Sequence, residues 1–491
     1  KYVRVPEYVP PRYTAKHEIW ARFIQAHFRG WRARRWAKIM HLREGGFPTM
    51  ALEDRLLSSQ EEADSLQAEI AAFAAPELEE VDSLASIEWD DLFSDEEEEG
   101  DEGAEQGGGA GAPPVVTLGL DFSAESNHLG PQSVRTLVRS LEDQGGPCTA
   151  MLMSLDLSGN DITGSVGHLP AELDTDLSGL RALVASKNFA GLGIEMHGRP
   201  ATPLGTLCLA ETGLGYAGLE VLLECVGRSL GALDLSYNRF GDRGCVRLVE
   251  LLCGSQALEK LRLSGNQLGP TAAEALGRLL SAEKSRLRCL DLSENFLAGV
   301  ESPEGSGPSV VEGGKGQELA CLNALGDGLR ECGRVNEIDL SRNSLGAAAA
   351  AALAPGLVAV RRLNLAHNLL GDAGVEALAP HLKGCRLRVL DLQHNWLYWR
   401  AASTLASALG SATELEELEL SSNLLGGHTM DSDPQGIAEL APTLRRLAVH
   451  GSLRRLGLAS CRIGARAAEE LACAFSKPAT DDGASEEQQE H

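Results

Sequence analysis

Between about residue 115 and residue 475, leucines return in one register. Written as L-x-x-L-x-L-x-x-N-x-L, the pattern runs LMSLDLSGNDI from Leu152, LGALDLSYNRF from Leu230, LEKLRLSGNQL from Leu258 and LRCLDLSENFL from Leu287. It continues as VNEIDLSRNSL from Val335, VRRLNLAHNLL from Val360, LRVLDLQHNWL from Leu387 and LEELELSSNLL from Leu415. Weaker copies begin at Leu180 (LRALVASKNFA), Leu204 (LGTLCLAETGL) and Leu453 (LRRLGLASCRI), and VTLGLDFSAESNHLG forms an irregular first unit. Apart from two insertions, successive copies lie roughly 24–29 residues apart. Within a copy, Leu155 and Leu157 alternate with Asp156, which predicts a short strand with leucines inward and the aspartate outward. Asn160 follows at the turn, where its side chain can satisfy backbone groups that would otherwise be buried unpaired. Segments such as AGLEVLLECVGRSL and AGVEALAPHLKGC then space their apolar residues for a helix.

Each unit therefore reads strand, turn, helix, and no unit can bury its apolar face alone. The predicted fold class is α/β: a solenoid with a parallel sheet inside and helices outside, over residues 115–475. These residues resemble the leucine-rich repeats of the ribonuclease-inhibitor class, with a glycine after the helix start as in NRFGDRGCVRLVELL and NLLGDAGVEALAPHL. Residues 299–318 and 427–440 interrupt the register and are expected as surface loops.

Ahead of the repeats the pattern changes. Residues 1–16, rich in proline and tyrosine, read as extended; 17–43 as a basic amphipathic helix; 44–76 as a short helical segment; 77–114 as an acidic and Gly-rich linker. Residues 476–491 read as a disordered tail. In the basic helix, Trp20, Ile24, Phe28 and Trp31 fall at spacings of three and four, flanked by Arg22, Arg29, Arg32, Arg34, Arg35 and Lys38. The stretch IQAHFRGWRAR resembles an IQ motif at Ile24, Gln25, Arg29, Gly30 and Arg34, with Ala37 where such motifs carry a large apolar residue. The resemblance implies a calmodulin-like or centrin-like EF-hand partner, gripped through Ile24, Gln25, Phe28, Arg29, Gly30, Trp31 and Arg34. Docking on the solenoid's end, docking on membrane lipid, and masking by the acidic linker are the other readings of the same helix.

A formal net charge of −26 over 491 residues argues against a nucleic-acid backbone binder and favours basic partner surfaces. No run of about eighteen apolar residues predicts a membrane span. The eleven cysteines are scattered singly, which predicts buried thiols in a reducing, cytoplasmic setting. Walker A, G-x-S-x-G and H-E-x-x-H signatures are absent, so no cofactor, no metal and no catalytic residues are expected. His367 and His394 both precede the repeat asparagine and should meet on one rim, as a solvated pair rather than metal ligands.

The outward strand position holds Asp156, Val184, Cys208, Asp234, Arg262, Asp291, Asp339, Asn364, Asp391, Glu419 and Gly457. Six of these eleven are acidic, which makes a stripe broken by Arg262. Two readings follow: a repeat habit that keeps the strand soluble, or a docking surface for a basic protein partner built from Asp156, Asp234, Arg262, Asp291, Asp339, Asp391 and Glu419. Trp396, Tyr398 and Trp399 stand beside it as anchors or packing residues. The function expected is a non-enzymatic interaction scaffold; proteins that join an IQ motif to such repeats resemble cytoskeletal and axonemal components. The alternative is an enzyme activator resembling the Ran GTPase-activating proteins, although their acidic run follows the repeats.

Overall fold

The computed structural model describes residues 49–51, 65–66, 68–69, 115–123, 127–142, 149–164, 176–185, 195–196, 199–200, 204–223, 230–299 (except 254, 256 and 284), 314–426, 435–449 and 452–476. Its strands, in chain order, are β1 (Thr49–Ala51), β2 (Val115–Asp121), β3 (Thr149–Asp156), β4 (Glu195–Met196), β5 (Arg199–Pro200), β6 (Thr206–Cys208), β7 (Ala232–Asp234) and β8 (Lys260–Arg262). They continue with β9 (Cys289–Asp291), β10 (Glu337–Asp339), β11 (Arg362–Asn364), β12 (Val389–Asp391), β13 (Glu417–Glu419) and β14 (Arg455–Gly457). Except for the small antiparallel pair β4–β5, all lie in one sheet in chain order, and every neighbouring pair is parallel. Helices connect successive strands, for example Gly241–Leu252, Pro270–Ser281, Gly314–Cys332 and Gly371–Leu382. This is the solenoid that the leucine spacing predicts.

The middle residue of each strand points into the space between sheet and helices. Leu155, Leu207, Leu233, Leu261, Leu290, Ile338, Leu363, Leu390 and Leu418 are buried and stand in register across neighbouring strands. Burying one such side chain is worth about 1.5–3 kcal/mol. The gain exists only because the next coil supplies the wall; Leu456, on the last strand, is only half-buried.

Buried asparagines hold the coils in register. Asn295 donates from Nδ2 to the Leu292 carbonyl of its own coil and the Leu263 carbonyl of the preceding coil, both at 3.0 Å. Its Oδ1 accepts from Asn266 N–H at 2.9 Å and Leu268 N–H at 3.0 Å. Asn238, Asn368 and Asn423 make the same four contacts with the coils before them. In the weaker copies at Leu204 and Leu453, Thr212 donates to the Leu209 carbonyl and Cys461 to the Leu420 carbonyl, each a partial substitute.

On the outer side, the helices Pro270–Ser281 and Gly314–Cys332 meet main chain to main chain. A side chain at Gly277 would collide with the Ala324 carbonyl, and one at Gly328 with the Gly277 carbonyl. Gly326 against Ala352, and Gly356 against Gly326, repeat the contact one coil further on.

The structure corrects several sequence expectations. The copy at Leu180 is no strand: Ser178–Ala185 is a helix, and β3 pairs directly with β6. Leu180, Leu183 and Val184 are buried at helical spacing, so Val184 leaves the outward strand row. The irregular first unit is β2, with Asp121 opposite Asp156. Part of the expected insertion loop, from Gly314 on, is the start of a helix, and the second expected loop gives way to a helix at Gln435. Within the segment expected to be helical, Thr49–Ala51 is a strand on β2, whereas Ser65–Leu66 and Ala68–Glu69 are helical and Leu66 joins the apolar core. The expected segments 1–16, 17–43 and 77–114 lie outside the described residues, and the helix Ala465–Ser476 runs one residue into the expected tail.

Replacing Asn295 by alanine strips acceptor and donor from two coils at once, and each buried group left unpaired costs about 1–3 kcal/mol. The expected result is a fall of about 3 kcal/mol or more in chemical-denaturation stability, with Asn295→Thr losing less, as the Thr212 coil suggests. Equal losses for the two variants would show that the hydrogen bonds contribute little.

Candidate interaction surface

The strand ends bring the predicted acidic residues together. Parallel register sets Asp156, Cys208, Asp234, Arg262, Asp291, Asp339, Asn364, Asp391, Glu419 and Gly457 side by side on consecutive strands. The spacing is about 4.8 Å per step. Most of these side chains also have a local task that sequence reasoning missed. Oδ1 of Asp156, Asp234, Asp291, Asp339 and Asp391 accepts the N–H two residues on, at 2.9–3.0 Å. Asn364 and Glu419 do likewise for Ala366 and Ser421. An acceptor at this place closes the turn that leads to the buried asparagine, so the prevalence of aspartate is structural before it is electrostatic.

The remaining carboxylate oxygens face one another along the row. Arg262 Nη1 lies 3.7 Å from Asp234 Oδ2. Burial alone would depress the Arg262 guanidinium, but Asp234 and Asp291 on either side outweigh it and the net shift is upward. Asn364 Nδ2 donates to Asp339 Oδ2 at 2.8 Å. Burial, and then the neighbouring Asp291, push the Asp339 carboxyl up to about 7. Burial and then Glu419 push Asp391 up to about 6 despite the Gln393 N–H bond. Burial likewise raises Asp291. The row ends where the Glu419 carboxylate fills the space above Gly457.

The neighbouring rows are closer to neutral. Arg362 pairs with Glu337 at 3.7 Å, Arg455 with Glu417 at 3.4 Å and Arg388 with Glu416 at 3.7 Å, all between adjacent coils. These exposed pairs add little stability, but they cancel charge. The carboxyl groups in excess of cations therefore gather at the strand ends, with Asp339, at about 7, only partly ionised near neutral pH.

Beyond the strand ends lies a rim of residues in the turns. The residue before each asparagine takes a left-handed backbone, as at Tyr237, Glu294, Arg342, His367 and His394. Arg342 pairs with Glu294 at 3.8 Å. His367 and His394 stack with ring centroids 4.3 Å apart and planes 18° from parallel, as two repeat-equivalent positions one coil apart should. Burial and then Arg342 lower the pKa of His394, which favours its neutral form. Among the described residues no group of three or more His, Cys, Asp and Glu is arranged to hold a metal.

The residue after each asparagine forms a second rim row, of which the sequence analysis singled out only Trp396. Phe296 is 43% exposed, Leu369 51% and Trp396 59%, with Ser344 between the first two and half-buried Leu424 beyond the last. Trp399, at a helix start, is also exposed and carries Arg400 over its ring, 5.4 Å from the centroid. Tyr398 is half-buried and its N–H donates to Asp372 at 2.7 Å, so it is held inside the coil. A large apolar residue directly after the repeat asparagine was the available signal. The predicted Ile24, Gln25, Phe28, Arg29, Gly30, Trp31 and Arg34 lie outside the described residues.

Coils of this form, with parallel strands, turn asparagines and outer helices, are leucine-rich repeats. The Leucine Rich repeat family model matches residues 150–165, 228–249, 254–277 and 360–379. The chain is similar to mouse ribonuclease inhibitor, 30% identical over 278 residues that cover 54% of this chain and 55% of that protein. It is 27% identical to pig ribonuclease inhibitor over 251 residues, covering 50% and 44%. Mouse Tonsoku-like protein is 31% identical over 238 residues, 45% of this chain and 16% of that one. The chain thus spans at most 55% of the length of these relatives. Among solved structures, an internalin from Listeria monocytogenes aligns with a TM-score of 0.37 at 16% identity, over 72% of this chain and 77% of that one.

The raised Asp391 carboxyl makes stability depend on pH. Its folded value of about 6 exceeds the ordinary 3.8, so the folded state holds the proton more tightly. Stability from this group therefore falls as pH rises from about 4 to about 6 and stays low above. Asp391→Asn keeps a turn acceptor, as Asn364 does, and removes the charge that burial opposes. A tenfold change in proton affinity corresponds to about 1.4 kcal/mol, so the variant is expected to gain about 1–3 kcal/mol of stability at pH 8 and nothing at pH 4. Thermal melts of both proteins at pH 4 and 8 check it.

Proposed function

We propose that this chain is a protein-interaction scaffold with two separate grips. Residues 17–43 bind a calmodulin-like or centrin-like EF-hand protein through Ile24, Phe28, Trp31 and the arginines around them. The repeats bind a protein partner with a basic, apolar-tipped surface along the strand ends and rim. One observation carries the second grip: the coils that bear the acidic row from Asp291 to Glu419 also carry exposed Phe296, Leu369 and Trp396. Apolar anchors next to unbalanced charge are what a protein interface uses for affinity and for orientation. Similarity to ribonuclease inhibitor, whose name describes binding to a protein, supports the scaffold reading. A cytoskeletal or axonemal setting is the cellular role that fits this pair of grips.

The first grip is tested by titrating the full chain with calmodulin, with and without calcium. Binding is expected in at least one condition, and the triple variant Ile24→Ala, Phe28→Ala, Trp31→Ala should weaken it at least tenfold. Equal binding by both proteins would remove that helix face from the reading. Stimulated hydrolysis in a Ran GTPase assay would instead establish the activator alternative.

A further inference from the structure

The two grips are matched to each other. The rim row offers apolar side chains at Phe296, Leu369 and Trp396, on the coils of β9, β11 and β12. From β9 to β12 is three strand steps, or about 14 Å. The basic segment carries Trp20, Ile24, Phe28 and Trp31 on one face of its predicted helix, and eleven residues at 1.5 Å each span about 16 Å. Charge also matches. Arg22, Arg29, Arg32, Arg34, Arg35 and Lys38 surround that face, and Asp291, Asp339, Asp391 and Glu419 line the row beside the rim. The cations already on the rim are engaged locally, Arg342 by Glu294 and Arg400 by the Trp399 ring.

Reach is sufficient. The chain enters the sheet at Thr49, on β1, the first strand of the row. From β1 to β9 is six steps, about 29 Å, and crossing the sheet from the strand starts to the rim adds about 10 Å sideways. Six residues before Thr49 would cover about 20 Å if extended, and the helix expected from the sequence would cover about 18 Å more from Arg43 to Trp31. That length would let Trp31 reach the coil of Phe296 and bring Trp20 near that of Trp396.

We propose that the rim row Phe296, Leu369 and Trp396, with the acidic strand ends beside it, is the docking site of the chain's own residues 20–38. The chain then masks both of its grips, and an EF-hand partner that captures residues 17–43 uncovers the repeats. The inference rests on the scaffold reading for its consequence, but the docking itself stands apart from the identity of any partner.

Hydrogen–deuterium exchange on the full chain tests the docking. Peptides covering residues 294–299, 367–371 and 394–400 are expected to exchange at least fivefold more slowly in the unmodified chain than in the Ile24→Ala, Phe28→Ala, Trp31→Ala variant. That variant lies outside the repeats. A second variant, Leu369→Ser with Trp396→Ser, changes only exposed side chains and should bind calmodulin about 5–10 times more tightly than the unmodified chain, because a masked site binds in proportion to its open fraction. Identical exchange in the two chains overturns the proposal, whether the basic segment is then free or held by the acidic linker. Protection that grows with protein concentration also overturns it, by assigning the rim to a second copy. A peptide of residues 15–45 that fails to bind calmodulin defeats the EF-hand reading alone, and the exchange comparison still decides the docking.

Discussion

The structure depends on how each coil disposes of the backbone groups at its turn. A strand of three residues followed by a sharp reversal leaves N–H and carbonyl groups deep between coils, where water does not reach. The buried asparagines meet that demand from the side, with Asn238, Asn295, Asn368 and Asn423 each bonding two coils at once. Holding an asparagine in that pocket forces the residue before it into a left-handed backbone, at φ 56° for His367 and 54° for His394. Such a conformation costs an L-residue about 1–2 kcal/mol. It also turns those side chains onto the rim, so the device that locks the coils together selects which residues a partner meets.

The same economy governs the acidic row. Asp291, Asp339 and Asp391 are first turn acceptors and only then surface charges. Stacking identical acceptors at one strand spacing crowds like charges, and burial sharpens the effect. Arg262 and Asn364 interrupt the row and relieve it: the first pairs with Asp234, the second donates to Asp339. Burial outweighs that relief: Asp339, between Asp291 and Asn364, is pushed up to about 7, and Asp391, beside Glu419, to about 6. A basic partner would relieve the same crowding, which ties the local chemistry of the turn to recognition.

Much of the fold was legible in the leucines and asparagines because their roles are local and recur at each coil. The acidic row followed from register alone. The copy at Leu180 misled because LRALVASKNFA carries an asparagine at the repeat place, yet Leu180, Leu183 and Val184 sit at helical rather than strand spacing. Thr49–Ala51 was hidden because a three-residue strand has no period of its own; its partner, β2, is more than sixty residues away. The rim row, apart from Trp396, was illegible for a different reason. Phe296, Ser344, Leu369 and Trp396 share a place but not a residue type, and only burial shows that the large ones stand free. The role of aspartate as a turn acceptor needed atomic positions, since a carboxylate two residues before a free N–H looks the same in sequence as a soluble spacer.

The glycines between the outer helices have a geometrical consequence. Strands repeat at about 4.8 Å and packed helices at about 8–10 Å, and this mismatch between inner and outer layers bends a solenoid. Glycines inside a helix cost about 1 kcal/mol each relative to alanine, but at Gly277, Gly328, Gly326 and Gly356 they let main chains touch and thin the outer layer. A smaller mismatch relaxes the demand for curvature over this stretch. Where that demand is relaxed, a solenoid can present a longer level track, which suits a rod-shaped occupant better than a rounded one.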